Sequence, residues 1–112
     1  MSLPIMQTSI SEPSLSKGKE LLITFPDGHT RAVPLDQSAL TLGRSTENDL
    51  GYPEDSGLSR RHLTFEKEGE EWIIRDLGSK NGTFLNGARI QDKQVLRPGD
   101  KVTASHLQLV FQ

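Results

Sequence analysis

Gly43-Arg44, Ser59-Arg60-Arg61-His62 and Gly78-Ser79-Lys80-Asn81-Gly82 carry the side chains of this chain that could do chemistry. Ser59 and His62 could be a nucleophile and its general base, with Asp49, Asp55 or Asp76 orienting the imidazole. Three-residue spacing at a strand start does not by itself bring a serine hydroxyl to an imidazole nitrogen, and no G-x-S-x-G elbow is present. The donor inventory points elsewhere. Hydroxyls, guanidinium groups, an ammonium and backbone N–H groups converge without an acceptor, which suits a phosphate better than a nucleophilic attack. Asn81 adds an amide that donates and accepts as a peptide group does, so it can hold an extended peptide irrespective of side chain. Gly78 and Gly82 bracket that loop and let backbone approach closely. Phosphate donors beside a backbone clamp suggest a phosphopeptide.

His62 reads differently from the arginines. Placed just before "LTF", it is expected to be a buried imidazole that ties loop backbone in place. His29, His62 and His106 are scattered without paired ligand spacing, so no metal site is expected, and nothing calls for a cofactor.

These residues need a frame, and the chain supplies one of β-strands. Short runs rich in β-branched and aromatic residues recur between turn residues: "ELLITF", "RAVPL", "ALTLG", "HLTFEKE", "WIIRDL", "TFL", "ARI", "QVL", "KVTA" and "LQLVF". No apolar pattern repeats at helical spacing over a dozen residues. The expected class is all-β, an antiparallel sandwich or barrel. Alternation puts Leu63 with Phe65, Trp72 with Ile74, and Leu107 with Leu109 and Phe111 on one face of their strands, as core. The segments "GRSTENDLGYPEDSGLSRRH" and "GSKNG" are too long or too polar to be plain connectors, and rigid β scaffolds carry binding residues on such loops.

With 112 residues the chain has the size of one domain. Its net charge of -2 supplies no global basic field for nucleic acid or an anionic membrane, so anion recognition must be local. The absence of cysteine excludes disulfides and thiolate chemistry. No secretory signal or bilayer-spanning run is present, so an intracellular, cytoplasmic module is expected. Residues 1–18 are Ser-rich and polar and read as a flexible arm, leaving 19–112 as the domain. Thr8 in that arm invites the idea that its phosphorylation lets the arm occupy the domain's own site.

Gly43-Arg44, Ser59-Arg60-Arg61-His62, Asn81-Gly82, Asn86-Gly87, "DLGSKNGTFLNG" and "LRPGDKV" together resemble the forkhead-associated (FHA) domain, in order, from about Glu20 to Phe111. The resemblance implies a sandwich of about eleven mostly antiparallel strands whose loops at one end bind phosphothreonine peptides. By the same resemblance Arg44 and Ser59 contact the phosphate, and Lys80 stands at another phosphate-contacting position. Asn81 holds the peptide backbone, and Arg60 meets the phosphate or the peptide's N-terminal side. Gly43, His62, Gly82, Asn86 and Gly87 support the site. The implied partner is a threonine-phosphorylated protein, the product of a Ser/Thr kinase. No exposed heptad or long apolar stripe calls for an obligate dimer, so a monomer is expected, and the Ser59–His62 spacing does not call for an enzyme. The rival reading is an FHA fold used for phosphate-independent association through its sheet face.

Two further expectations concern detail. Asn-Gly is the strongest two-residue hairpin signal, yet it occurs twice within ten residues; Asn86-Gly87 is assigned the hairpin and Asn81-Gly82 the binding loop. Within "YPEDSG", before Ser59, Glu54 and Asp55 would disfavour an acidic peptide residue if they face the ligand.

Overall fold

The computed structural model describes residues 19–112, and the arm with Thr8 lies outside the described residues. Eleven strands follow in order: β1 (Glu20–Thr24), β2 (Thr30–Pro34), β3 (Ala39–Gly43), β4 (Leu50–Gly51), β5 (Leu63–Glu68), β6 (Glu71–Asp76), β7 (Thr83–Leu85), β8 (Ala88–Arg89), β9 (Lys93–Leu96), β10 (Lys101–Ala104) and β11 (Leu107–Phe111). They form a six-stranded sheet, ordered β2-β1-β11-β10-β7-β8, and a five-stranded sheet, ordered β4-β3-β5-β6-β9. Among the described residues no helix is long and apolar enough to cross a membrane.

The two sheets close over one apolar core. The alternation in the sequence is borne out: Leu63, Phe65, Trp72, Ile74, Leu107, Leu109 and Phe111 are all buried, together with Leu21, Ile23 and Leu42. Pro34 is tolerated because β2 is a sheet edge, where a missing N–H leaves no neighbour unsatisfied. Asn86 and Gly87, with φ of 51° and 89°, turn β7 into β8 and leave Leu85 opposite Ala88. Positive φ at both central residues is the type I′ requirement, so Asn86-Gly87 makes the hairpin as expected.

β4 is the strand that sequence reading passes over. It has two residues, carries no alternation, and pairs in parallel with β3, Leu42 opposite Leu50 and Gly43 opposite Gly51. Such a short parallel pair has no local turn to announce it; it exists because the chain from Gly43 loops back onto β3. Every other strand pair is antiparallel among the described residues.

Register decides where the functional loops emerge. Leu42 lies opposite Leu63 and Leu63 opposite Asp76, so the end of β3, the start of β5 and the end of β6 share one rim. Arg44, Ser59 and Lys80, far apart in sequence, leave the sandwich at that rim.

Candidate functional site

A cleft at this rim is lined by Arg44, Ser56, Gly57, Leu58, Ser59, Arg60, Lys80 and Asn81. The five residues expected to touch a ligand, Arg44, Ser59, Arg60, Lys80 and Asn81, therefore stand together on one concave surface. None of their three cationic side chains, Arg44, Arg60 and Lys80, forms an ion pair among the described residues.

The loops that present them are joined by hydrogen bonds that begin in the backbone. Arg44 N–H donates to Ser59 O at 2.9 Å and Ser45 N–H to Arg60 O at 3.2 Å, which carries the β3–β5 pairing past the last strand residues. Asn48 Nδ2 then donates to Ser45 O and Arg60 O, both at 2.8 Å. Gly43 is obligatory at this crossing: a Cβ there would stand 2.2 Å from Arg60 O and 2.8 Å from Asn48 Nδ2. The glycine thus sets how closely the Arg44 loop approaches the Ser59 loop.

His62 is fully buried. Its Nδ1 accepts from Ser59 N–H at 3.1 Å and its Nε2 lies 2.9 Å from Gly82 O. An accepting Nδ1 and a carbonyl at Nε2 require the neutral tautomer with hydrogen on Nε2. The imidazole therefore rivets the Ser59 loop to the Asn81-Gly82 loop, in the bracing role that the sequence assigns to it.

Ser59 Oγ accepts from Lys80 N–H at 2.9 Å, which leaves its own O–H free to donate into the cleft. Ser59 meets His62 through its backbone, not through its hydroxyl, so the nucleophile–base contact that hydrolysis would need is not made. Asn81 Nδ2 donates to Gly57 O at 2.8 Å, which orients the amide at the cleft wall with its Oδ1 uncommitted among the described residues.

Ser79 departs from expectation. Sequence reading counts its hydroxyl among the ligand donors, but the residue is buried and its Oγ donates to Asp76 Oδ1 at 2.6 Å while accepting from Gly82 N–H at 3.0 Å. Its work is internal. Asp76, which sequence reading weighed only as a triad acid, is the organiser of this loop. Oδ1 also accepts from Thr83 Oγ1 at 2.7 Å, and Oδ2 accepts from the N–H groups of Gly78 and Ser79, both at 3.0 Å. Burial pushes the Asp76 carboxyl up, but the hydroxyls of Ser79 and Thr83 and the two N–H groups outweigh it and hold the carboxyl below its ordinary range.

Asp55 also departs. It lies buried beneath the loop, accepting from Gly57 N–H at 3.0 Å and from Ser105 Oγ at 2.7 Å, with His106 Nδ1 3.2 Å away. Burial raises its carboxyl, and the bonds from Ser105, His106 and the Gly57 N–H overcome that and lower it. Gly57 fits here because a Cβ would meet Ser105 Oγ at 2.2 Å. Glu54 lines a small pocket of about 200 Å³ with Phe25, Tyr52, Asp55, His106 and Leu107, which adjoins the cleft at Ser56. No local signal for the Asp55–Ser105 contact exists, since the two residues are 50 apart in the chain.

Asn86 and Gly87 act at a distance from the cleft. Asn86 Nδ2 donates to Asp100 Oδ1 and its Oδ1 accepts from Lys101 N–H, both at 3.0 Å. They fix the β7–β8 hairpin to the sheet rather than touching the cleft.

A β-sandwich that presents an arginine, a free hydroxyl, a lysine and an anchored asparagine amide from three loops of one rim is a scaffold for binding an anionic peptide. A family profile described as the FHA domain matches residues 40–105. The chain belongs to the FHA domain family. It is 37% identical over 99 residues to the glycogen accumulation regulator GarA of Mycolicibacterium smegmatis, covering 87% of this chain and 61% of GarA. Among solved structures, Mycobacterium tuberculosis EmbR in complex with a low affinity phosphopeptide is similar with a TM-score of 0.73 and 28% identity, over 83% of this chain and 24% of the EmbR chain. A structure from an analysis of phosphothreonine-dependent FHA domain interactions is similar with a TM-score of 0.72 and 29% identity, over 83% of this chain and 95% of that one. The chain thus spans less than two thirds of GarA and about a quarter of the EmbR chain.

Proposed function

We propose that residues 19–112 form a phosphopeptide-binding module that recognises phosphothreonine in a kinase-phosphorylated protein, binding as a monomer and without catalysis, in the cytoplasm. The observation that carries this reading is the cleft itself, where Arg44, Ser59, Arg60 and Lys80 supply donors with no internal counter-charge. Phosphothreonine brings about -1.5 to -2 charges near pH 7 and three acceptor oxygens. Arg44 and the Ser59 hydroxyl take the phosphate, Lys80 and Arg60 add charge-assisted bonds, and Asn81 holds the adjoining peptide backbone with the oxygen of its amide. The phosphopeptide and phosphothreonine dependence of the similar structures supports the same assignment.

Where the peptide crosses Ser56 it meets the pocket of Phe25, Tyr52 and Leu107, with Glu54 at its edge. A largely apolar lining that holds two carboxylates, Glu54 and Asp55, and the imidazole of His106 disfavours an acidic side chain there. Non-acidic selectivity therefore rests on Glu54 and the apolar wall, since the Asp55 carboxylate in the same lining is committed to Gly57, Ser105 and His106.

Fluorescence anisotropy at pH 7.5 with matched phosphothreonine, phosphoserine and unmodified threonine peptide libraries tests the reading. Binding should be confined to phosphorylated peptides and strongest for phosphothreonine. Arg44→Ala should weaken it by roughly 10- to 100-fold, the equivalent of a charge-assisted bond of about 1.5–3 kcal/mol, without lowering the melting temperature. Unchanged affinity in Arg44→Ala, or equal binding of unmodified peptide, would refute it.

A further inference from the structure

Arg89, the last residue of β8, is not part of the cleft, yet the fold delivers its guanidinium to the cleft's border. The register of the hairpin sets Arg89 opposite Phe84, one residue from the β7 start at Thr83. From there the side chain lies directly on Gly82: a Cβ built at that glycine would stand 2.7 Å from Arg89 Nε and 3.0 Å from Cζ. Gly82 is the neighbour of Asn81 and is itself immobilised, its N–H held by Ser79 Oγ and its carbonyl by His62 Nε2. The arginine thus rests on rigid backbone adjoining the peptide clamp.

Its donors are uncommitted. Among the described residues Arg89 has no hydrogen bond from its side chain and no carboxylate within salt-bridge distance, and it is exposed. Beyond it opens a second cleft lined by Leu85, Arg89, Ile90, Asp92 and Lys93. The carboxylate of Asp92 in that cleft is 3.5 Å from Arg75 Nη1. An extended ligand leaving Asn81 along this border encounters the fork of Arg89 in a cleft that also holds Lys93, where the one carboxylate, Asp92, is paired with Arg75 rather than with Arg89. A planar fork seated on backbone loses less freedom when it binds than a freely moving side chain does, and it fits carboxylate or phosphate oxygens in pairs.

We propose that Arg89 is a specificity residue for the bound phosphopeptide, contacting an anionic side chain, carboxylate or second phosphate, in the stretch that continues past Asn81. This rests on the phosphopeptide reading above. It adds a second, conditional anion contact, which contributes only when the partner sequence supplies the charge.

The test is a positional scan by fluorescence anisotropy. The parent is a phosphothreonine peptide with alanine at the four positions on each side; one series places Glu at each position in turn, and a second places phosphoserine. Wild-type protein should bind at least one Glu peptide about two- to fivefold more tightly than the parent, the range of an exposed ion pair, with the gain shrinking at high salt. The phosphoserine series should show a larger gain at the same position. Arg89→Gln should erase both gains while binding the parent within about twofold of wild type, and Arg89→Lys should restore part of them. No gain at any position, or a gain that persists in Arg89→Gln, overturns the subsite while leaving the phosphothreonine cleft standing. Failure of folded wild-type protein to bind the parent or any other phosphothreonine peptide overturns both.

Discussion

Replacing Asp76 by Asn probes the organisation of the site without touching a ligand. The carboxylate accepts four bonds, from Ser79 Oγ at 2.6 Å, Thr83 Oγ1 at 2.7 Å and the N–H groups of Gly78 and Ser79 at 3.0 Å. An amide keeps one oxygen and turns an NH2 group against the other pair of donors, so two bonds to a charged acceptor are lost. At about 1.5–3 kcal/mol each, reduced because neighbouring bonds are not additive and because the loop is partly solvated, the cost is about 2–4 kcal/mol. In a domain of this size that lowers Tm by roughly 10–20 °C. The single tryptophan, Trp72, is buried in the core, so its fluorescence reports urea unfolding of wild type and variant on the same footing. Because Asp76 sets Ser79, and Ser79 holds Gly82 beside Asn81, affinity for a phosphothreonine peptide should fall at least about tenfold in protein that is still folded. The pH dependence follows in sign. A carboxyl held below its ordinary value in the folded state stabilises fully above the unfolded value of about 4, and that stability is lost as pH falls through the lowered one. Wild type should therefore lose stability on acidification below about pH 4 more steeply than Asp76→Asn, the remaining slope in the variant coming from carboxylates such as Asp55 and Asp100. Equal urea midpoints for the two proteins, or parallel acid profiles, would refute the role assigned to Asp76.

Two other perturbations separate bracing from contact. His62→Ala removes a fully buried ring that bridges Ser59 N–H and Gly82 O, and should cost about 2–4 kcal/mol in urea unfolding together with a large loss of peptide affinity; a variant as stable as wild type would show the bridge to be dispensable. Gly43→Ala places a methyl 2.2 Å from Arg60 O, where rigid backbone must give way, so it should destabilise by at least about 2 kcal/mol and shift the amide resonances of Arg44, Asn48 and Arg60; shifts confined to residue 43 and its chain neighbours would contradict the close crossing.

Much of this protein is determined by local sequence. Alternation along "HLTFEKE", "WIIRDL" and "LQLVF" assigns core faces because a strand's side-chain period is two whatever its partners. Asn86-Gly87 closes a hairpin because few residues accept the two positive φ angles that turn needs. The cleft residues Arg44, Ser59 and Lys80 are legible as phosphate donors, and Asn81 as a clamp that donates and accepts, because hydrogen-bonding capacity belongs to residue type. Direction and partnership are different matters. That Ser79 turns inward to Asp76 while Ser59 keeps a hydroxyl for the cleft follows from which loops meet at the rim, and both read as the same serine in sequence. Asp55 becomes a buried anchor only because β10 and β11 bring Ser105 and His106 beneath it, and β4 becomes a strand only because β3 is there to pair with it. Arg89 is one more surface arginine until the hairpin register lays it on Gly82. Backbone propensity and donor chemistry are properties of the residue, and the sequence states them; burial and hydrogen-bond pairing are relations between residues distant in the chain, which only the closed sandwich decides.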